Sequence, residues 1–280
     1  MKKMFAIVLA ALMVAAMLAG CGSSTAETKA PETTAAPAPA TEAAAPAETE
    51  AAAPAFTTIE AGKLIMSTNA AFPPYEMVAD DGSFEGIDVE IAGAVAAKLG
   101  LELVVDDMDF DAALLAVQQG KSDIVMAGVT VNEDRKMVMN FSDTYSKGVQ
   151  VVIVKEGSNV TLDNLGDQMI GTQRGTTGYI YTSGDYGEDH VTAYDNGASA
   201  VQALMNGQVD CVVIDSAPAK AFVEANPGLT ILDTEYTSED YAIGMNKDNT
   251  ALLEAVNAAL AELTADGTIP AIVEKYIPTK

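Results

Sequence analysis

The chain has 280 residues, of which 40 are acidic and 15 are lysine or arginine, so its formal net charge is −25 at pH 7. We expect so negative a chain neither to bind nucleic acid nor to adsorb on anionic lipid through its surface charge. The part from residue 59 onward is long enough for two modest domains.

The first twenty residues are typical of a secretory signal. Lysines at positions 2–3 precede an apolar run at 4–18, which is shorter than the roughly 20 residues of a spanning helix. An uncleaved membrane anchor is the alternative. The letters LAGC at 18–21 resemble a bacterial lipobox, which implies that residues 1–20 are removed and that Cys21 is lipidated. Two or more acyl chains would anchor the protein firmly outside the cytoplasm.

Residues 21–58 are predicted to be the lipidated cysteine and a tether. They consist mainly of Ala, Pro, Thr, Glu and Ser, with very few large apolar side chains. Such a segment buries too little surface to offset its ordering entropy, and proline keeps it extended. The folded domain should therefore span residues 59–280. With Cys21 assigned to lipid, we expect no internal disulfide and a buried, apolar role for Cys211.

Strand-like apolar runs alternate with helical patterns through the folded domain. In chain order the predicted strands are 63–67, 101–105, 124–126, 149–154, 169–172, 191–194 and 209–214. The predicted helices are 87–99, 109–119 with Asp109 as a cap, a turn at 163–165, a helix start at 176–182, and 198–205. This alternation predicts parallel sheets covered on both faces, in two α/β lobes with a cleft between them.

Four loops at predicted strand ends carry the candidate chemistry, because ligands of open α/β sheets bind there. Arg135 offers planar donors for a carboxylate, and 175–177 offers backbone N–H groups at a helix N-terminus to the same anion. Asp215 supplies an acceptor for an ammonium group, while Phe72 and Phe110 supply flat apolar faces. Each residue alone has an ordinary explanation: the arginine could be solvated, the aspartate could cap a helix, and the phenylalanines could belong to the core. Together they favour an α-amino acid site.

Several stretches in order resemble the polar amino acid-binding family of extracytoplasmic solute-binding proteins, the receptors of ABC importers. They are TNAAFPPYE, GIDVEIAGAVAAKLG, MDFDAAL, AGVTVNEDRK, FSDTY, GTQRGTTGY, VDCVVIDSAPA and LAELTADGTI. The resemblance implies an α/β, two-lobe, periplasmic-binding-protein-like (type II) fold with a hinge of two crossings and a central ligand cleft. Lobe 1 would be about 61–146 plus 244–280, lobe 2 about 152–239, and the crossings 147–151 and 240–243.

The same resemblance assigns roles to the loop residues. Arg135 would clamp the α-carboxylate, Asp215 would hold the α-ammonium, and the two phenylalanines would stack on the ligand. The residues that we expect to line the site are Asn69, Phe72, Phe110, Ala127, Gly128, Thr130, Arg135, Gln173, Thr176, Thr177 and Asp215.

Two departures from the family bear on the ligand. Asn69 stands where binders of basic amino acids carry an aspartate, and Gln173 stands where glutamine binders carry a lysine. An uncharged Asn69 favours a polar uncharged L-amino acid such as glutamine, with cystine as an alternative. A basic amino acid stays open, because Glu76 would supply the carboxylate that such a ligand needs if its side chain turned inward.

We therefore expect a monomer that is not an enzyme and that delivers an L-amino acid to an ABC permease and its ATPase. A dehydratase of a cyclic carboxylic acid is one alternative, with Glu76 and Asp215 as its candidate carboxylates. A surface amino acid receptor is another. No metal or cofactor is expected: the acidic loop has Ala112 and Gln118 where calcium loops need glycine and glutamate, and His190 is the single histidine.

Overall fold

The computed structural model describes residues 56–233 and 235–278. The predicted signal, the predicted lipidation site Cys21 and nearly all of the predicted tether lie outside these residues. Over the described ranges, no helix combines the length and the apolar character that crossing a membrane requires.

Strands and helices alternate through most of the described chain. The strands are β1 (Lys63–Thr68), β2 (Ala71–Phe72), β3 (Glu76–Val78), β4 (Phe84–Glu85), β5 (Glu102–Asp107), β6 (Ile124–Val125), β7 (Met139–Lys155), β8 (Ile170–Gln173), β9 (Val191–Tyr194), β10 (Cys211–Asp215), β11 (Leu229–Ile231) and β12 (Thr237–Asn246). The α-helices are α1 (Ile87–Lys98), α2 (Phe110–Gln118), α3 (Glu133–Val138), α4 (Thr177–Tyr186), α5 (Gly197–Met205), α6 (Ser216–Ala225), α7 (Thr250–Ala265) and α8 (Thr268–Tyr276). Two 3-10 helices cover Leu162–Asp167 and Glu188–His190.

The main sheet is mixed, in the order β5-β1-β6-β12-β7-β10-β8-β9, with β11 added alongside β7. Its two outer parts are parallel: β1 pairs with β5 and β6, and β8 pairs with β9 and β10. The central strands β7 and β12 run antiparallel to each other and to their neighbours β10 and β6. The prediction of purely parallel sheets is wrong here, because the chain crosses the centre in extended strands without a covering helix.

The strand β7 is much longer than the predicted strand 149–154. Its first half carries exposed polar side chains such as Asp143 and Lys147, so this part lacks the apolar run that identified the second half. Lys147 lies opposite Asp240 in the β7–β12 pair, which places the two predicted crossings side by side. A register irregularity follows at Tyr241. The two connections between the halves of the sheet therefore form one two-stranded ribbon.

Helix α1 agrees with its prediction to within a residue. Ile87, Ile91 and Val95 recur at a spacing of four and are fully buried on one side of the helix. Each such side chain contributes roughly 1.5–3 kcal/mol by leaving water. The helix ends before Gly100, whose φ of +71° is the left-handed conformation that favours glycine after a helix. This helix carries the buried Asp88 in its first turn.

Two local predictions have different outcomes. Cys211 is fully buried, as predicted, and burial raises the pKa of its thiol to about 12. Asp109 stands directly before α2, but its side chain makes no capping hydrogen bond to any part of the chain that the structure describes. The helix therefore begins where predicted without the predicted cap.

Candidate ligand-binding site

One cavity brings together all eleven residues that the sequence predicts for the ligand site. It combines the ring faces of two phenylalanines with a few convergent polar and charged groups, the composition typical of a small-ligand site. The twelfth lining residue is Glu76. The lining residues come from loops in both halves of the main sheet, which meet beside the β7–β12 ribbon. Their roles in binding stay predictions; their convergence is a property of the structure.

Arg135 lies in α3 and is only 7% exposed, so the alternative that it is an ordinary solvated arginine does not apply. Its backbone N–H is capped by Asn132, while Nη1 donates to the carbonyl of Thr130 at 2.8 Å and Nη2 to that of Gly175 at 3.1 Å. The guanidinium also lies 5.4 Å from the ring centre of Phe110. Its other three side-chain N–H groups make no hydrogen bond to a described residue, and Arg135 lines the cavity, so donors are available for a carboxylate.

The N-terminus of α4 approaches the same point from the other half of the sheet. Thr176 caps the helix by accepting from the N–H of Tyr179 at 3.4 Å, and its hydroxyl donates to the carbonyl of Gln173. The hydroxyl groups of Thr177 and Thr130 lie 3.4 Å apart. The first N–H groups and the positive dipole end of α4 therefore stand beside Arg135 and Thr130. This end of the cavity suits an anion.

Asp215 ends strand β10 and is held by two donors. Tyr241 donates its hydroxyl to Oδ1, and Gln150 donates from Nε2 to Oδ2 at 2.8 Å. Within the described part of the chain, the Asp215 side chain makes no capping bond to α6, so the helix-cap alternative does not apply. Burial, followed by the negative charge of Glu239, raises the pKa of Asp215 to about 7. An ammonium group in the cavity would stabilise its ionised form.

Sequence reasoning did not identify the polar side chains of the ribbon behind the site. Gln150 in β7 donates to Asp215 and also to Glu239 at 3.0 Å, and Thr130 donates to the same oxygen of Glu239 at 3.0 Å. Arg135, Thr130, Glu239, Gln150 and Asp215 thus form one connected network. The sequence did contain a signal for this network. Gln150 interrupts the apolar run VQVVIV, and an amide buried in such a strand requires polar partners nearby.

Asn69 and Gln173 meet across the cavity. Nε2 of Gln173 donates to Oδ1 of Asn69 at 2.9 Å, and Nδ2 of Asn69 donates to the carbonyl of Met108 at 2.9 Å. The Asn69 amide is therefore already engaged at both of its polar atoms. This weakens the argument that its uncharged side chain selects the ligand.

Gly128 allows the loop after β6 to approach the aromatic wall. Its φ is +56°, and a Cβ atom at this position would lie 2.8 Å from Cε1 of Phe72. Its N–H donates to Oδ2 of Asp88 at 2.9 Å. The sequence places Gly128 in the ligand loop, and the structure shows the steric reason for glycine there.

Glu76 points inward. It is fully buried and lines the cavity, and neither of its carboxylate oxygens has a hydrogen-bond partner among residues 56–233 and 235–278. Burial, and then the nearby Asp88, raise the pKa of Glu76 well above its usual value. A buried carboxyl group without partners is costly unless a proton or a cation accompanies it.

The chain matches the family model of bacterial extracellular solute-binding proteins, family 3, over residues 64–279. It is 29% identical to ABC transporter arginine-binding protein 1 of Escherichia coli (strain K12), covering 80% of this chain and 94% of the relative. This relative is a binding protein of an ABC transporter.

Solved structures show the same fold. A mutant of ArgBP from T. maritima has a TM-score of 0.74 at 38% identity, covering 78% of this chain and 96% of that one. An ancestral arginine-binding protein bound to glutamine has the same TM-score and identity, covering 78% and 99%. The predicted two-lobe type II fold is confirmed, and the chain is a solute-binding protein and not an enzyme. The cavity between the sheet halves is thus the candidate solute site of a chain that belongs to the bacterial extracellular solute-binding proteins, family 3.

Proposed function

We propose that this protein binds a basic L-amino acid, with L-arginine as the first candidate, outside the cytoplasmic membrane and delivers it to an ABC importer. The α-carboxylate would lie against Arg135 and the N-terminus of α4, and the α-ammonium against Asp215. The family match and the amino acid-binding relatives support an amino acid as the ligand class. The convergence of an anion site and a carboxylate in one small cavity supports the orientation.

The inward carboxylate of Glu76 is the observation that carries the choice of a basic ligand. It satisfies the condition on which the sequence left arginine, lysine or histidine open. A guanidinium or ammonium group at the end of the ligand side chain would supply the missing partner of Glu76. Phe72 and Phe110 line the same cavity and offer ring faces that attract a cation.

Charge balance favours the same conclusion. Glu76 and Asp215 line the cavity, and the buried Glu239 lies behind it. Among the described residues that line the cavity, Arg135 is the one cation, so the site has an excess of carboxyl groups. A zwitterionic amino acid with a cationic side chain adds one positive unit and offsets part of this excess. A neutral side chain would leave the excess as it is, to be held by protons.

L-glutamine is the second candidate, and L-cystine is a further one. The ancestral arginine-binding protein that resembles this chain was solved with glutamine, so the same scaffold accepts an amide side chain. The sequence favoured glutamine because Asn69 is uncharged, whereas the family resemblance implies an aspartate at this position in binders of basic amino acids. Its two polar atoms are engaged by Gln173 and Met108, which is why we place the basic ligand first.

A thermal-shift screen over the L-amino acids tests this proposal. We expect L-arginine to raise the melting temperature most, and Glu76→Gln to reduce that shift far more than any shift given by L-glutamine. Glu85→Gln, which changes an exposed glutamate, serves as the matched control. A wild-type protein that responds to glutamine and not to arginine would overturn the choice of ligand while leaving the amino acid site intact. The absence of a shift with every amino acid would overturn the ligand class.

We also propose that lipid on Cys21 holds the protein at the membrane and that the mature protein acts as a monomer. The signal-like residues 1–20 and the lipobox-like LAGC support this anchor. Cys21→Ala should release the protein from cells or leave its precursor unprocessed. Normal cleavage with unchanged membrane retention would contradict the proposal.

A further inference from the structure

A second buried carboxyl group lies behind Glu76. Asp88, from the first turn of α1, is fully buried, and its Oδ2 accepts from the N–H of Gly128 at 2.9 Å and from the hydroxyl of Tyr145 at 2.8 Å. Within the described residues, Oδ1 of Asp88 and both oxygens of Glu76 accept from no N–H group and from no hydroxyl group. The two carboxyl groups are close enough to interact directly with each other through a shared proton.

The charged groups that act most strongly on Glu76 are acidic. They are Asp88, Asp215 and Asp107, all carboxyl groups from other elements. Burial raises the pKa of Asp88 to about 6. The hydroxyl groups of Tyr75 and Tyr145 face the same region, and burial raises the pKa of both. Two such carboxyl groups cannot both ionise without a large cost.

We propose that Glu76 and Asp88 act as one pair that holds a single proton, and that a cationic ligand side chain takes the place of this proton. The inference rests on the proposed function, because it assigns to Asp88 a part in selecting a basic ligand. The proton passes to solvent as the guanidinium or ammonium group arrives, so the charge at this end of the cavity is unchanged. A neutral side chain leaves the proton on the pair.

This assignment makes Asp88 a specificity-determining residue that does not itself line the cavity. Its position is fixed by Gly128, in the ligand loop, and by Tyr145, in β7 beside the ribbon. Its negative charge sets how strongly Glu76 keeps its proton when no cation is present. Selection between charged and neutral ligands then depends on both carboxyl groups.

Infrared difference spectroscopy on the full chain tests the pair directly, through the C=O stretch of a protonated carboxyl group. In the ligand-free protein at pH 7.5 we expect this band, and we expect Glu76→Gln to lose all of it except the part contributed by Asp215, whose pKa is about 7. In Asp88→Asn, which keeps an oxygen to accept from Gly128 and Tyr145, the band should disappear at a lower pH than in the wild type. Asp106→Asn, an exposed aspartate of β5, is the control that should leave the band unchanged. A band that neither Glu76→Gln nor Asp88→Asn alters would overturn the pair.

Proton release on binding tests the exchange. Calorimetric titrations in two buffers of different ionisation enthalpy give the protons released by L-arginine and by L-citrulline, its uncharged analogue. Both ligands carry the same α-ammonium, so Asp215 contributes equally to both. We expect an excess of up to one proton for arginine in the wild type, and a smaller excess in Asp88→Asn, because Glu76 holds its proton less strongly without the charge of Asp88. Equal proton release by both ligands would overturn the exchange. Failure of arginine to bind would instead overturn the proposed function, while the infrared result would still decide the pair.

Discussion

Gln173 donates a hydrogen bond of 2.9 Å from Nε2 to Oδ1 of Asn69, and this contact joins the loop after β1 to the end of β8. The two residues belong to different halves of the main sheet. Arg135 makes a second such connection through the carbonyl of Gly175. These contacts favour the closed arrangement of the two halves around the cavity, and a ligand that bridged both halves would stabilise it further.

Asn69→Ala should weaken ligand binding by favouring the open arrangement. The variant loses the hydrogen bond to Gln173, worth about 0.5–1.5 kcal/mol, so we expect the Kd for arginine to rise by roughly twofold to tenfold; the bond to Met108 lies within one half of the sheet and does not favour closure. Calorimetry measures the change, and Asn226→Ala is the control, because the side chain of Asn226 donates to the carbonyl of Phe222 in the adjacent helix α6, away from the cavity. An unchanged Kd would show that the Asn69 contact contributes nothing to closure.

Arg135→Ala should remove most of the affinity for every amino acid ligand. Loss of one partner of a buried charge pair costs about 2–5 kcal/mol, which corresponds to a Kd higher by about 30-fold to several thousandfold. Arg174→Ala is the matched control, since the Arg174 side chain is 54% exposed and pairs with Asp195 at 3.5 Å. Calorimetry on both variants gives the comparison. Similar affinities for the two would place the ligand carboxylate elsewhere.

Gly128→Ala should impair both stability and binding. The left-handed backbone costs an alanine about 1–2 kcal/mol, and the Cβ atom would also displace the ring of Phe72. Gly82→Ala isolates the first effect, because Gly82 has φ of +85° and no atom lies within 4 Å of its added Cβ among the described residues. Chemical denaturation should show a larger loss for Gly128→Ala. Equal losses, with normal arginine binding, would contradict the close approach of Gly128 to Phe72.

The ligand-free protein should become more stable as the pH falls from about 7 towards 4. Asp215 has a pKa of about 7 in the folded protein, above that of an unfolded aspartate, so protons bind the folded state more tightly in this window. The gain is at most about 1.4 kcal/mol per pH unit for this group. Urea denaturation of the wild type and Asp215→Asn measures it.

The pH dependence of binding should have the opposite sign. An ammonium group needs the ionised form of Asp215, so the Kd should rise as the pH falls below about 7. Asp215→Asn should bind weakly at every pH, with a flatter dependence. The unfolding free energy of the wild type should rise between pH 7 and pH 5 relative to that of Asp215→Asn. If both proteins lost the same stability over this interval, the assignment of the raised pKa to Asp215 would be contradicted.

The sequence predicted the loops of the site better than the sheet behind it. Arg135, Asp215 and Phe72 follow strand-like runs closely, so local pattern and family resemblance placed them together. The first half of β7 was missed because its exposed polar residues resemble a loop, and its strand conformation depends on pairing with β12, which is distant in the chain. Pairing of this kind leaves no local pattern.

The direction of the Glu76 side chain could not be predicted from the chain alone. Glu76 follows a proline-rich turn and begins β3, and in a short strand a shift of one residue would reverse its direction. Its inward position depends on the contact of that turn with α1, where Gly86 approaches the Tyr75 carbonyl too closely for any Cβ atom. The same dependence on tertiary packing hid Asp88 and Glu239.

A crystal structure of the protein grown with L-arginine tests the central claim most directly. The account predicts one arginine in the cavity, with its carboxylate within hydrogen-bond distance of Arg135, its ammonium on Asp215 and its guanidinium on Glu76. Arginine bound in the reverse orientation, with its guanidinium on Asp215 and its ammonium turned towards Glu76, would contradict the assignment of the two ends. A cavity that remains without arginine while the ligand binds elsewhere would contradict the account as a whole.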